Sequence, residues 1–277
     1  MKLLFMLAPM ENITDNAFRE LCFRHGADLT FTVLARLSGL AARNGNTERK
    51  IELLNGIPTQ VQLVAQREDD LKSFLGWFEP TRGFSGINFN IGCPSPQYVR
   101  QGLGCAMMKR LSKLNRLVKV VKNHGYPCSV KMRLGMNLIE KQRKVYLNVI
   151  KGIDADFFIV HARHGAEHYD APPDYSVFPE CVATGKDIIA NGNIDSTEKI
   201  ALMRDMNVKG VMIGRAAVRD PGIFGRLKGS EEPETVALRN EYALLADKYG
   251  VVNKYRSNVM KRLGQKIAIE EENAEMG

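Results

Sequence analysis

The five cysteines, Cys22, Cys93, Cys105, Cys128 and Cys181, include no Cys-x-x-Cys pair. Odd in number and widely spread, they argue against a disulfide framework and a structural zinc site, and they imply a reducing compartment. No stretch approaches the roughly 20 apolar residues of a membrane span. The opening MKLLFMLAPM starts like a signal peptide, but Pro9, Glu11 and Asn12 end its apolar run before a cleavage site could form. A cytoplasmic protein with no membrane or metal partner is expected. Low-complexity tracts are missing, as is the Gly-x-Gly-x-x-Gly turn of a dinucleotide-binding sheet.

What is present is an ordinary globular composition: 277 residues, 44% hydrophobic and 25% charged. Lysine and arginine total 39 against 31 acidic residues, for a formal charge of +8. That balance favours polyanions, and a basic surface kept for solubility is the alternative. Continuous apolar runs recur at 3–8, 29–34, 59–65, 86–91, 128–133, 156–161, 187–191 and 210–214. Such runs suit parallel strands covered on both faces. Between them helical spacing predicts helices over Asp15–His25, Glu68–Phe78, Leu114–Asn123, Lys141–Lys151 and Ser196–Met206, with Asp15 and either Asp195 or Ser196 as caps. Eight strand–helix units predict a (β/α)8 barrel over residues 1–229 rather than an open doubly wound sheet.

After Gly229 a polar, proline-bearing linker leads to two short helices broken near Gly250, forming a small C-terminal helical region over 230–277. Residues 248–266 carry six basic side chains and no acidic one, which reads either as a solvated face or as a contact for nucleic-acid phosphates. The final EEENAEMG reads as a frayed acidic tail.

Function in such a barrel gathers where strands end at the C-terminal face. Polar groups crowd that rim: Ala8, Pro9 and Met10 after the first strand, Gln60 and Gln62 on the third, and Asn88, Asn90, Gly92 and Cys93 on the fourth. Lys131 and Arg133 follow on the fifth, His161 and Arg163 on the sixth, Asn191, Gly192 and Asn193 on the seventh, and Gly214 and Arg215 on the eighth. Inward Gln, Asn, Lys, His and Arg imply a bound molecule that satisfies them. Lys131 shares a face with Ser129 and Arg133, the alternative being an outward, snorkelling lysine. The segments IANGN and VMIGRAA place glycines where a backbone amide can approach a phosphate, unless they are only turns. Cys93, between Gly92 and Pro94, sits in a constrained loop; a free thiol, with a reference pKa of about 8.5, can serve as a proton donor, and an inert buried cysteine is the alternative.

Taken together, APMENITDNAFR, TQVQL, INFNIGCPSP followed by QGLGCAMM, SVKMRLG, VHAR, IANGNI and GVMIGRAA resemble the tRNA-dihydrouridine synthase family from about residue 3 to about 229. The resemblance implies an FMN-dependent barrel that reduces particular tRNA uridines to 5,6-dihydrouridine, with NADPH reducing the flavin, and a helical region that holds the tRNA. It further implies that Ala8, Pro9 and Met10 touch the flavin ring, that Gln62 and Lys131 bind its polar edge, and that Asn191, Gly192, Asn193, Gly214 and Arg215 hold its ribityl chain and phosphate. Asn90, His161 and Arg163 would orient the uracil, His161 also reaching the cofactor. Hydride would pass to C6 and a proton from Cys93 to C5, while Tyr98 and Arg100 contact the extruded nucleotide. A monomer is expected. The chain departs from the family where His164 follows Arg163, where Tyr175 stands for an expected tryptophan, and in its short helical end. A related FMN barrel acting on a free pyrimidine such as dihydroorotate, and an RNA-binding barrel without catalysis, are the rival readings.

Overall fold

The computed structural model describes residues 2–231 and 233–265; the acidic stretch 270–277 lies outside them. Nine strand segments run parallel: β1 (Leu4–Leu7), β2 (Thr30–Phe31), β3 (Ala35–Arg36), β4 (Thr59–Val64), β5 (Phe84–Asn90), β6 (Cys128–Met132), β7 (Phe157–His161), β8 (Asp187–Asn191) and β9 (Gly210–Ile213). Their order, β1-β9-β8-β7-β6-β5-β4-β2, closes through the Met6–Leu29 bridge and the Leu7 N–H, which donates to the Leu29 carbonyl at 2.9 Å. The expected eight-stranded (β/α)8 barrel is therefore present, its second strand split into β2 and β3. Thr30 pairs with Thr59 but Ala35 with Leu63, so this strand carries one extra residue, and the Thr32 hydroxyl accepts the Gln62 amide at 3.0 Å where the ladder is interrupted.

Period-2 alternation separates two apolar layers. Phe5 and Leu7 of β1, with Val130 and Met132 of β6, join the core under the helices. Met6 and Ala8 point into the lumen with Phe31, Ile159, Ile189 and Met212. Burying each large side chain contributes about 1.5–3 kcal/mol, so both layers favour closure of the barrel.

Helices form at Asn16–Arg24, Glu68–Trp77, Leu111–Asn123 and Thr197–Asp205. The Asp15 carboxylate caps the first, accepting from the Phe18 amide at 2.8 Å, and Ser196, not Asp195, caps the last by accepting from Lys199. Asp195 pairs with the Lys199 ammonium instead. The expected helix over 141–151 breaks into Leu138–Gln142 and Val145–Gly152 because Lys144 adopts a left-handed φ of 53°.

The C-terminal helices, Thr235–Lys248 and Asn253–Arg262, flank Gly250 as expected. The first packs on Asn16–Arg24: the Tyr242 and Phe18 rings meet edge to face at 6.3 Å, and Glu241 pairs with Arg24 and His25. From the second, the Asn258 amide donates to the Asn12 carbonyl at 3.3 Å. This seats the basic helix beside the loop that follows β1.

Candidate active site

A cavity of about 660 Å³ opens at the C-terminal ends of the strands. Pro9, Met10, Gln62, Asn90, Cys93, Tyr98, Lys131 and His161 all line it, so the structure brings together side chains from five different strand ends and their loops. Glu11, Lys50, Arg133 and Tyr169 line it as well. Glu11 and Lys50 form an ion pair of 2.8 Å.

The loop carrying Cys93 is held from both sides. Asn90 Oδ1 accepts the amides of Gly92 and Cys93 at 3.0 and 3.1 Å, and the Cys93 carbonyl accepts the Cys105 amide at 3.0 Å. Gly104 makes that approach possible: its φ is 58°, and a Cβ there would lie 2.3 Å from the Cys93 oxygen. Cys93 is partly exposed, whereas Cys22, Cys105, Cys128 and Cys181 are buried. Burial pushes the Cys105 thiol up to about 12 and those of Cys22 and Cys128 higher than their ordinary range, so they stay protonated and inert.

The rim beside this loop is cationic. Burial, aided by Arg133, pulls the Lys131 ammonium down to about 8, and no carboxylate is among the groups acting on it. Burial and then Lys131, Arg133, Arg163 and Arg215 drive His161 down to about 2, leaving a neutral imidazole. Arg163 Nη1 lies 3.1 Å from His161 Nε2. Because a guanidinium only donates, Nε2 accepts and the ring proton sits on Nδ1.

Arg163 itself is fully buried and absent from the cavity wall. It donates to the Ala171 carbonyl at 2.7 Å from Nε and to the Tyr169 carbonyl at 3.0 Å from Nη2. The structure thus places it as a brace for the 169–171 loop and for His161 rather than at the substrate position the sequence suggested. That loop presents Tyr169, stacked on His161 with centroids 6.0 Å apart and flanked by the guanidinium groups of Arg133 at 5.4 Å and Arg215 at 4.8 Å. Sequence reasoning looked to Tyr175 for this aromatic, but the Tyr175 hydroxyl is turned to the carbonyls of Gly192 and Asn193. The usable signal was a tyrosine six residues beyond Arg163 in a strand-end loop.

Asn191, Gly192, Asn193, Gly214 and Arg215 cluster at the neighbouring ends of β8 and β9, outside the lining of the large cavity. Asn191 Nδ2 donates to the Met212 carbonyl at 2.8 Å, and Arg215 donates to Asn193 Oδ1 at 2.8 Å and to the Tyr169 carbonyl at 3.1 Å. Ala8 is buried in the lumen layer; a Cβ added to Gly214 would stand 3.3 Å from its methyl. Tyr98 carries the Arg36 guanidinium 4.8 Å above its ring, while Arg100 is exposed and off the cavity wall.

The expectation that inward polar groups need a bound molecule does not hold for Gln60, Asn88 and Ser129. These three are buried and satisfy one another through hydrogen bonds. Among the described residues no cluster of three or more potential metal ligands occurs, and no helix is long and apolar enough to cross a membrane.

Comparison with known proteins adds sequence-level relationships to this geometry. The chain is 29% identical over 247 residues to a probable tRNA-dihydrouridine synthase of Helicobacter pylori, covering 86% of this chain and 74% of that protein. It is 29% identical over 228 residues to tRNA-dihydrouridine synthase B of Xanthomonas campestris, covering 80% and 68%. Among solved structures, morphinone reductase in complex with tetrahydroNAD shares the barrel with a TM-score of 0.53 at 12% identity, over 83% of this chain and 88% of that one. The family model for dihydrouridine synthase (Dus) matches residues 6–271, nearly the whole length, and the chain belongs to that family.

Proposed function

We propose that this protein reduces uridines of tRNA to 5,6-dihydrouridine, using FMN as cofactor and NADPH as reductant. Family membership and the tRNA-dihydrouridine synthase relatives support the overall reaction. The observation that carries the reading is one cavity with the Cys93 thiol on a braced loop and the half-buried Lys131 ammonium, lacking a carboxylate partner, in the same wall. A volume of about 660 Å³ falls among the small-molecule sites of roughly 300–1,000 Å³.

The donor set fits FMN. Lys131, Arg133 and Arg215 present positive charge that suits an electron-rich ring edge and a phosphate. Pro9 and Met10, backed by Ala8, form the apolar floor for the ring, and Gln62 and Lys131 meet its polar edge. Asn191, Gly192, Asn193, Gly214 and Arg215 hold the ribityl chain and phosphate. When bound and reduced, the flavin supplies a hydride to C6 of the uracil.

Cys93 holds a proton on Sγ and delivers it to C5, the thiolate then regaining a proton from solvent. Asn90 and the Nδ1–H of neutral His161 orient the base, while Arg163 keeps His161 in that tautomer and holds the Tyr169 loop against it. Extruding a nucleotide from folded RNA costs a few kcal/mol, roughly, to be offset by stacking and phosphate contacts. Tyr98 with Arg36 above it, Arg100, and the basic helix Asn253–Arg262 beside the rim supply these. In this reading residues 1–229 form the catalytic barrel and 230–277 the tRNA-binding region.

Incubating the purified protein with FMN, then with NADPH and unmodified tRNA, tests the proposal. A bound-flavin absorbance band and dihydrouridine in the RNA are expected. Oxidation of dihydroorotate with no dihydrouridine would favour the free-pyrimidine barrel, and protein that takes up no FMN would favour a non-catalytic RNA binder.

A further inference from the structure

The polar side chains of β4, β5 and β6 form one directed chain of hydrogen bonds ending at the reactive loop. The amides of Gly92 and Cys93 donate to Asn90 Oδ1. Asn90 Nδ2 then donates to Gln62 Oε1 at 3.0 Å, Gln62 Nε2 to Asn88 Oδ1 at 2.8 Å, and Asn88 Nδ2 to Ser129 Oγ at 2.7 Å. The Ser129 hydroxyl donates to Gln60 Oε1, and Gln60 Nε2 donates to the Ser85 carbonyl at 3.1 Å. Gln60, Gln62, Asn88 and Ser129 are all buried.

Both ends of this column are main-chain groups with a single possible role. An amide N–H only donates and a carbonyl only accepts, so each end independently dictates the same direction for every link. Turning any one amide over would set N–H against N–H on one side and oxygen against oxygen on the other. The column therefore has one polarity, and its members reinforce one another.

We propose that Ser129, Asn88 and Gln60 are positioning residues for the reaction, acting through Asn90 on Cys93 and through Gln62 on the cofactor. They touch neither substrate nor flavin. Their effect is to commit one hydrogen of Gln62 Nε2 to Asn88, which leaves the other to face the cavity, and to keep the Asn90 oxygen on the Cys93 amide. With the column cut at Ser129, Asn88 loses the acceptor that fixes its orientation. The direction of Gln62 and Asn90 then rests on the Gly92 and Cys93 amides alone, so a turn-over that exchanges donor for acceptor at the cavity wall and loosens the Cys93 loop costs less. The reaction affected is the one proposed above; the column itself stands independently of it.

The test compares Ser129→Val with Ser129→Thr, which have nearly the same shape and differ in the hydroxyl. Ser129→Ala, which adds no volume, repeats the loss if the larger side chains do not fit the lumen. Three quantities are read on the full-length protein: FMN affinity, the rate of Cys93 alkylation by iodoacetamide resolved by peptide mass, and kcat and KM for tRNA with FMN bound. The Val and Ala variants should lose roughly 10- to 100-fold in kcat with little change in KM for tRNA, the size expected when a reacting group is misplaced from a distance. Their Cys93 alkylation rate and FMN affinity should also shift, and Ser129→Thr should recover most of each change. Val and Ala variants that match wild type in alkylation, FMN affinity and kcat would overturn the proposal. Wild-type protein that forms no dihydrouridine would refute the reaction assigned above, while the alkylation and FMN comparisons would still decide the column.

Discussion

The lumen of the barrel has two walls of opposite character. On β1, β2, β7, β8 and β9 it is lined by Met6, Phe31, Ile159, Ile189 and Met212, which pack on one another and need nothing else. On β4, β5 and β6 it is lined by Gln60, Gln62, Asn88, Asn90, Ser129 and Lys131, of which all but Lys131 are joined in a hydrogen-bonded column. The apolar wall supplies stability that depends on volume. The polar wall supplies orientation, because buried amides have one low-energy arrangement and a high cost for any other. Cys93 and Lys131 stand at the top of the polar wall, where orientation matters for chemistry.

The sharpest way to test this contrast is at its top. Cys93→Ala should lower dihydrouridine formation by roughly 10²- to 10⁴-fold, the contribution of a positioned general acid, with the bound-flavin spectrum retained. An active variant with normal turnover would remove the proton-donor role. Next in size, Lys131→Met should weaken FMN binding about tenfold or more, as expected for losing a charge-assisted contact. The same change should raise the urea midpoint of the flavin-free protein, because it removes a half-buried cation, disfavoured by desolvation and by Arg133, without a carboxylate partner.

Deeper in the lumen, Gln60→Leu leaves the Ser129 hydroxyl without its acceptor and the Ser85 carbonyl without its donor. Urea unfolding should show a loss of about 1–3 kcal/mol. Ile159→Val on the apolar wall should cost about 0.5–1.5 kcal/mol and leave turnover unchanged. Equal effects on turnover from both would erase the distinction between the walls.

A separate effect lies in pH dependence. His161 is held far below its unfolded value of 6.5, at about 2, so the unfolded chain binds a proton there that the folded protein refuses. Its contribution to stability is complete above pH 6.5 and is lost as pH falls through that value towards the folded pKa, with a slope of up to about 1.4 kcal/mol per pH unit. His161→Gln should remove that slope from urea midpoints measured between pH 4 and 6.5, by up to that amount; an unchanged slope would show that another group carries it.

Much of this was legible in the sequence because the relevant signals are local. Continuous apolar runs marked the strands, Asp15 capped its helix, and Gly92-Cys93-Pro94 announced a constrained loop. The split of the second strand was not legible, since it depends on a one-residue mismatch with β4. Arg163 was readable as an inward arginine, but its partners are carbonyls of a loop whose return path only the closed fold determines. Tyr169 escaped for the same reason. Gln60, Asn88 and Ser129 were visible as inward polar residues, yet that they satisfy one another rather than a ligand follows from the stagger of three strands.

The central claim is that Cys93 and a bound flavin share the reduction of a tRNA uridine. The most direct measurement is mass-spectrometric mapping of dihydrouridine in tRNA from cells that lack this gene, complemented with wild-type protein or with Cys93→Ala. The account predicts that particular uridines lose the modification on deletion, regain it with wild type, and stay unmodified with the alanine variant. Unchanged dihydrouridine at every position after deletion would contradict it.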